Sequence, residues 1–244
     1  MENTPYLSDT LLGVLGQHAK WFDLRHRPTL AWMMVGLRGA KTVSLGAWAP
    51  SVVGRAQEAQ SLVRRFRRWL DHNRIKAQPL SGPLIEHAVV RWMGKRVSVA
   101  LDTSLWWKTY GLIRLSLSSR GRAVPLGWRV SEHGSAAVAF ETYKALLEEG
   151  QSHLPWACKA VLLADRGGAA TPWMSHLRQL GWHFRLRIKA KFWMHPSHLA
   201  SFQGGEIALQ PGPRCCWQGV SMTDKHFGLV PLAVARPLGS EEYW

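Results

Sequence analysis

The apolar positions change their period near residue 95, from a helical spacing to an alternation of two. Val97, Val99 and Leu101 begin this alternation and predict a first strand. The apolar segments that follow predict strands over 111–118 and 123–130, a helix ending at Gly150, a strand over 161–164, a helix over 171–180 and a strand over 182–188. The order β-β-β-α-β-α-β predicts an α/β (α+β) fold, a mixed sheet flanked by helices and preceded by an all-helical N-terminal region.

Three segments are predicted from this pattern. Residues 1–94 are expected to be helical, and residues 95–190 to form the mixed sheet and its helices. Residues 191–244 are rich in glycine and proline and are expected to contain short strands such as Phe227–Ala235.

Two apolar runs each deliver one aspartate at or near the predicted exit of a strand. Val97–Ser104 reads VSVALDTS and contains Asp102, and Ala160–Gly168 reads AVLLADRGG and contains Asp165. Loops at strand ends build the sites of open α/β sheets, so the two carboxylates could share one metal ion or a pair of ions. The alternative is that one of them caps a helix or forms a turn.

The segment QEAQSLVRRFRRWL, residues 57–70, predicts an amphipathic helix. Its apolar stripe consists of Leu62, Phe66, Trp69 and Leu70. The remaining arc carries four arginines: Arg64, Arg65, Arg67 and Arg68. Such a helix can dock on a scaffold and contact phosphates without reading base sequence. The alternative is a solvated basic face.

The charge balance of the whole chain indicates a polyanionic partner, with a basic but inert surface as the alternative. Lysine and arginine number 31 against 16 acidic residues, a formal net charge of +15. No apolar span approaches the ~20 residues that cross a bilayer, and the N-terminus lacks the features of a signal peptide. Cys158, Cys215 and Cys216 form neither a disulfide framework nor a zinc spacing, so a cytoplasmic location is expected. The 14 tryptophans mostly occupy apolar runs and are predicted to be core residues.

The segments ALDTS, LLADRGG and GWHFRLRIK, in this order and with these strands, resemble DDE-type transposases of bacterial insertion sequences. More narrowly, they are similar to the group with a strand-rich insertion inside a ribonuclease-H-like catalytic core. The basic stretch VRRFRRWLDHNRI resembles the DNA-binding helices of that family. The resemblance implies a DNA-binding region over 1–94, a catalytic core over 95–190 and the start of the insertion over 191–244.

The family places its first catalytic aspartate in the first core strand and its second just after the fourth strand, which matches Asp102 and Asp165. The resemblance implies that both hold Mg²⁺ (or Mn²⁺) for phosphodiester hydrolysis and strand transfer. It implies double-stranded DNA, both element ends and target, as the partner, and it is compatible with a homodimer. Backbone contacts to DNA are expected from Arg166, Arg187 and Lys189, with ordinary surface charge as the alternative.

The third acid of this family is a glutamate in a Tyr-x2-Arg-x3-Glu-x6-Lys signature, which these 244 residues do not contain. The chain is therefore expected to stop before the third acid and to have little or no strand-transfer activity alone. Two alternatives remain: a non-catalytic DNA-binding regulator derived from a transposase, and another metal-dependent nuclease with the same core.

Overall fold

The computed structural model describes residues 4–52, 59–107, 109–132, 140–165, 171–223, 225–236 and 238–239. The chain divides into two compact units, Met1–Arg91 and Trp92–Trp244. The described part of the first unit contains helices and no strand. The second unit combines helices with two sheets.

The first unit is built from five described α-helices. They are α1 (Thr4–His18), α2 (Arg27–Ala40), α3 (Leu45–Trp48), α4 (Ala59–Leu70) and α5 (Ala77–Val89). Short 3-10 turns cover Leu24–His26, Ala49–Ser51 and Val90–Trp92.

Helix α4 buries one stripe of side chains in the core of this unit. Leu62, Phe66 and Trp69 pack in a cluster that includes Met33 of α2 and Trp48 of α3, as the helical spacing predicts. The prediction is wrong for Leu70, which is 55% exposed. Leu70 is the last residue of α4 and lies at the edge of the stripe, where no further turn covers it.

The larger sheet of the second unit confirms the predicted mixed α/β architecture. Its strands are β1 (Arg96–Trp106), β2 (Tyr110–Ser119), β3 (Arg122–Glu132), β4 (Lys159–Ala164) and β5 (His183–Leu186). The spatial order is β3-β2-β1-β4-β5, with β1, β2 and β3 antiparallel and with β4 parallel to both β1 and β5. Helices α6 (Phe140–His153) and α7 (Thr171–Gln179) precede β4 and β5, so the order β-β-β-α-β-α-β is confirmed.

Helix α6 covers one face of this sheet. Leu115 of β2 is fully buried and lies so close to Gly150 of α6 that a Cβ at Gly150 would overlap it. The hydroxyl groups of Thr103 in β1 and Tyr143 in α6 lie 3.3 Å apart. Helix α7 lies beside α6, with the rings of Tyr143 and Trp173 4.7 Å apart. Side chains along a strand alternate between the two faces of a sheet. The residues directly before and after Thr103 in β1 and Leu115 in β2 therefore point away from α6.

A second, antiparallel sheet follows in the same unit. Its strands are β6 (Trp193–Pro196), β7 (Phe202–Gln203), β8 (Arg214–Met222) and β9 (Phe227–Ala235), in the order β7-β6-β8-β9. The predicted strand Phe227–Ala235 thus forms, as β9. Its buried side chains form one core with Met174 of α7. Since both sheets belong to one compact unit, the segment boundary at 190/191 stays a prediction.

Candidate functional site

The two aspartates lie where the pairing of the parallel strands β1 and β4 ends. Strands β1 and β4 pair from Arg96 and Lys159 up to Leu101 and Ala164. Asp102 directly follows Leu101, and Asp165 directly follows Ala164. Neighbouring strands lie ~4.8 Å apart, and residues in register point to the same face. The sheet therefore places two residues that are far apart in sequence at equivalent positions of adjacent strands.

Asp102 lies inside β1 rather than at its exit, which corrects the sequence-based expectation. Strand β1 continues to Trp106 because it pairs with β2 beyond the point where its pairing with β4 has ended. Asp102 is thus at the end of the parallel pair but in the middle of the β1–β2 hairpin. The hairpin holds its backbone on one side, and the side chain is 59% exposed.

Two side chains of the hairpin orient the Asp102 carboxylate. Arg114, its register partner on β2, donates from Nη2 to Oδ2 at 2.7 Å. Ser104, two residues further along the same face, donates from Oγ to Oδ2 at 3.2 Å. Both contacts fix the carboxylate through one oxygen. Among the described residues, none donates a hydrogen bond to the other oxygen, Oδ1, so this oxygen can take an additional ligand.

Asp165 also has an arginine side chain nearby. The Nη1 atom of Arg187 lies 4.0 Å from Oδ1 of Asp165. The backbone N–H of Arg187 donates to the carbonyl of Ala164 at 3.1 Å, so this arginine continues the register of β4 and β5. The side chain of Arg187 is 24% exposed and that of Asp165 is 77% exposed.

The two ion pairs Arg114–Asp102 and Arg187–Asp165 follow the strand order β2-β1-β4-β5, and we call these four side chains the charged row. Two carboxylates lie in the centre and one guanidinium lies at each end. The formal charges of the row balance. In an arrangement of this kind, a cation can replace the arginines as the partner of the carboxylates. A phosphate can likewise replace the carboxylates as the partner of the arginines.

The remaining predicted site residues are Lys189, Arg166 and the four arginines of α4. Lys189 is exposed and follows β5, with no described contact to either aspartate. Arg166 lies outside the described residues. The four α4 arginines, Arg64, Arg65, Arg67 and Arg68, are all exposed and belong to the first unit. The guanidinium of Arg65 lies 5.3 Å from the ring centroid of Trp32, a cation–π distance.

Sequence reasoning missed Arg114 and Ser104. The alternation along β1 could have placed Ser104 on the face of Asp102. The position of Arg114 needed the register of the β1–β2 hairpin, which follows from the geometry of its turn.

The prediction that the tryptophans are core residues also fails in part. Among the described tryptophans, four are exposed: Trp106, Trp107, Trp156 and Trp193. Trp106 and Trp107 stand at the end of the same hairpin that carries Asp102.

The oxygen chemistry of the charged row suits a hard divalent cation. Mg²⁺ binds through one or two carboxylates and keeps several waters, so exposed ligands are compatible with it. Within the described ranges, no group of three or more His, Cys, Asp or Glu side chains could hold a metal ion. Asp102 and Asp165 are the carboxylates of the row that such an ion could use, and water would complete the set.

The fold and the site together define a mixed α/β protein with paired carboxylates at the end of its parallel strands. No known protein-family model matches the chain, and no curated protein matches it significantly. Of the helices in the described ranges, none has the length and apolar character that a membrane crossing requires.

Proposed function

We propose that the chain is a DDE-transposase-like protein that binds DNA and a divalent cation. In this proposal Asp102 and Asp165 supply two of the acidic ligands for phosphodiester hydrolysis and strand transfer. Double-stranded DNA is the substrate, as element ends and as target, and the protein acts in the bacterial cytoplasm on the nucleoid.

The single observation that carries this proposal is the place of the two acids in the sheet. Asp102 lies in the first strand of the core and Asp165 lies directly after the fourth. The order β3-β2-β1-β4-β5 puts these strands side by side and parallel in the centre. This placement supports the resemblance to a ribonuclease-H-like core, in which the family has its first two acids at these positions.

The side chains of the charged row have complementary tasks in this chemistry. Asp102 and Asp165 present carboxylate oxygens on one face of the sheet, and Ser104 keeps the Asp102 carboxylate oriented through its 3.2 Å hydrogen bond. Arg114 and Arg187 neutralise the acids and can bind a phosphodiester once the acids are engaged elsewhere. A bound Mg²⁺ or Mn²⁺ would activate the attacking oxygen and stabilise charge on the leaving oxygen.

The first unit supports DNA binding through its basic helix. Helix α4 buries Leu62, Phe66 and Trp69 and exposes the four α4 arginines on its other side. The buried stripe anchors the helix, so the guanidiniums are presented by a fixed scaffold. Contacts of this kind neutralise phosphates and release counterions, which gives affinity without sequence specificity.

The proposal is tested by measuring DNA binding and its dependence on Mn²⁺ at constant ionic strength. The wild-type chain is expected to bind a short duplex more tightly with Mn²⁺ than with EDTA. Asp102→Asn is expected to lose this Mn²⁺-dependent gain and to keep the binding seen in EDTA. The matched control is Glu141→Gln, which removes one exposed carboxylate from α6, on the covered side of the sheet.

A nicking assay on supercoiled plasmid addresses the chemistry itself. Any Mn²⁺-dependent nicking is expected to disappear in Asp102→Asn and in Asp165→Asn and to persist in Glu141→Gln. Nicking that survives both aspartate substitutions would remove the charged row from the mechanism. A wild-type chain that binds no DNA in either buffer would refute the proposed function as a whole.

A further inference from the structure

Two histidines lie side by side on the second sheet, on the face opposite its core. The side chains of Met194 and Met222 belong to that core, so their neighbours His195 on β6 and Ser221 on β8 point to the other face. His195 and Ser221 are register partners. His226, in the turn between β8 and β9, has its ring centroid 4.1 Å from that of His195. Two imidazoles from separate segments of the chain are thus in contact.

A serine hydroxyl lies at the Nδ1 atom of each ring. The Oγ atom of Ser201 is 2.7 Å from Nδ1 of His195, and Oγ of Ser221 is 3.3 Å from Nδ1 of His226. A hydroxyl can accept the proton of Nδ1–H, and the neutral imidazole then has its lone pair on Nε2. Histidines that bind a metal ion through one ring nitrogen are usually hydrogen-bonded through the other. The two serines therefore prepare both rings for coordination through Nε2.

The Nε2 atom of His195 is buried and has no hydrogen-bond partner among the described residues. Buried polar atoms without a partner are rare, because the loss of hydration without a replacement bond costs free energy. An ion bound to Nε2 would supply the missing partner. Zn–N bonds of ~2.0–2.1 Å join two imidazole nitrogens up to ~4 Å apart, a span comparable with the 4.1 Å between the two ring centroids.

We propose that His195 and His226 bind a Zn²⁺ ion through their Nε2 atoms. Imidazole nitrogen suits Zn²⁺, whereas Mg²⁺ and Mn²⁺ prefer carboxylate, carbonyl and water oxygens. This site therefore differs in chemistry from the carboxylates of the charged row, and it does not depend on the proposed function. Within the described ranges, no third His, Cys, Asp or Glu side chain completes a metal-binding group, so water occupies the remaining positions around the ion.

The bound ion would join two segments of the second sheet. His195 belongs to β6, and the N–H of His226 donates to the carbonyl of Thr223 at 3.0 Å in the turn between β8 and β9. A ligand that binds the folded protein and not the unfolded chain stabilises the fold. Zn²⁺ therefore acts here as a structural ion that fixes the β8–β9 turn against β6.

The test is calorimetric titration of the full chain with ZnCl₂. Excess MgCl₂ in the buffer competes with Zn²⁺ for carboxylate oxygens but not for imidazole. His226→Asn removes the imidazole, and asparagine tolerates the left-handed backbone of this position, where φ is 47°. This variant is expected to weaken Zn²⁺ binding by at least about tenfold. Ser201→Ala leaves both rings in place and is expected to weaken the binding by about tenfold, because His195 loses the hydrogen bond that orients it.

Three controls separate this site from other ligands of the chain. His18 and His87 in the first unit also form a close pair, with stacked rings 3.8 Å apart, but the described residues place no hydroxyl at their Nδ1 atoms. His87→Gln is therefore the matched control and should bind Zn²⁺ like the wild type. Asp102→Asn should also leave the binding unchanged. So should a double substitution of Cys215 and Cys216 by serine, which removes the alternative thiolate ligands on β8.

Thermal unfolding gives a second readout of the same site. At a Zn²⁺ concentration of about 100 times Kd, the unfolding midpoint of the wild type should rise by roughly 5–10 °C. The midpoint of His226→Asn should equal that of the wild type in EDTA and should not rise with Zn²⁺.

Several outcomes would overturn the inference. Zn²⁺ binding of wild-type strength in His226→Asn would show that the imidazole is not a ligand, and a wild type that binds no Zn²⁺ would refute the site altogether. Binding that is lost in His87→Gln instead would place the ion in the first unit. Loss in the double cysteine variant alone would assign the ion to the thiolates. None of these results affects the proposed function, which is tested by DNA binding and its dependence on Mn²⁺.

Discussion

Arg114→Gln is expected to tighten the binding of a divalent cation at the charged row. The guanidinium of Arg114 lies 2.7 Å from Oδ2 of Asp102, and both side chains are about half exposed. The arginine therefore competes with a cation for the same carboxylate, and it also repels the cation once that has bound. Glutamine removes the charge while keeping a side chain of similar length.

The size of the effect follows from the ion-pair geometry. A cation bound at ~2.1 Å from a carboxylate oxygen would lie roughly 4.5 Å from the guanidinium. The repulsion between charges of +2 and +1 at this distance is about 2 kcal/mol in water. Salt with a Debye length of ~10 Å reduces this value. A net gain of about 1–2 kcal/mol corresponds to Mn²⁺ binding that is about 5- to 30-fold tighter.

The assay is calorimetric titration of the full chain with MnCl₂ at moderate salt. Arg122→Gln is the matched control, since Arg122 pairs with Ser119, five residues from Arg114 along β2. Five residues span ~17 Å, which exceeds the Debye length of ~10 Å, so this variant should bind Mn²⁺ like the wild type. Asp102→Asn should lose the binding. Affinity that is unchanged or weaker in Arg114→Gln would refute the electrostatic argument.

Three further outcomes are expected. Replacing all four α4 arginines with glutamine should reduce the slope of log affinity against log salt by up to about 3.6, measured by fluorescence anisotropy; an unchanged slope would exclude α4 from phosphate contact. Phe66→Ala should destabilise the first unit by about 3–5 kcal/mol in urea unfolding, because Phe66 is fully buried; a loss below about 1 kcal/mol would contradict the core packing. The pKa of Asp23 should be about 2, lowered mainly by the hydrogen bond from the Arg25 side chain; in an NMR titration Arg25→Gln should move it back towards 3.8, the ordinary value. Since the folded pKa is lowered, this pair stabilises the fold above the unfolded pKa, and the contribution disappears as the pH falls from about 4 to about 2.

The sheet could be predicted because its signal is local. The alternation of Val97, Val99 and Leu101 reflects the face that packs on α6, where Val97 and Val99 are buried. The apolar run over 161–164 lies in β4, a central strand of the sheet. Burial of one face of the sheet makes apolar residues recur with a period of two along a single strand. This pattern can be recognised without knowing the partner strand.

The extent of β1 could not be predicted in the same way. The polar residues Asp102, Thr103 and Ser104 follow the apolar run and are typical of a strand exit. They stay in the strand because β2 supplies backbone partners beyond the point where β4 stops. The continued pairing of β1 with β2 alone depends on the register of these two strands. The turn between them lacks the Asn-Gly or Gly-Gly signature that would have predicted that register.

The balanced charge of the row leads to one further expectation about the proposed function. A cation that binds alone is attracted by the two carboxylates but repelled by the guanidiniums of Arg114 and Arg187. A phosphate that binds alone is attracted by the two arginines but repelled by the two aspartates. When both ligands are present, the cation takes the carboxylates and the phosphate takes the released guanidiniums, so each removes the repulsion that the other would meet. DNA and Mn²⁺ should therefore bind cooperatively at this site, and by linkage the factor by which DNA tightens Mn²⁺ binding equals the factor by which Mn²⁺ tightens DNA binding. Independent binding of the two would mean that the charged row does not hold both.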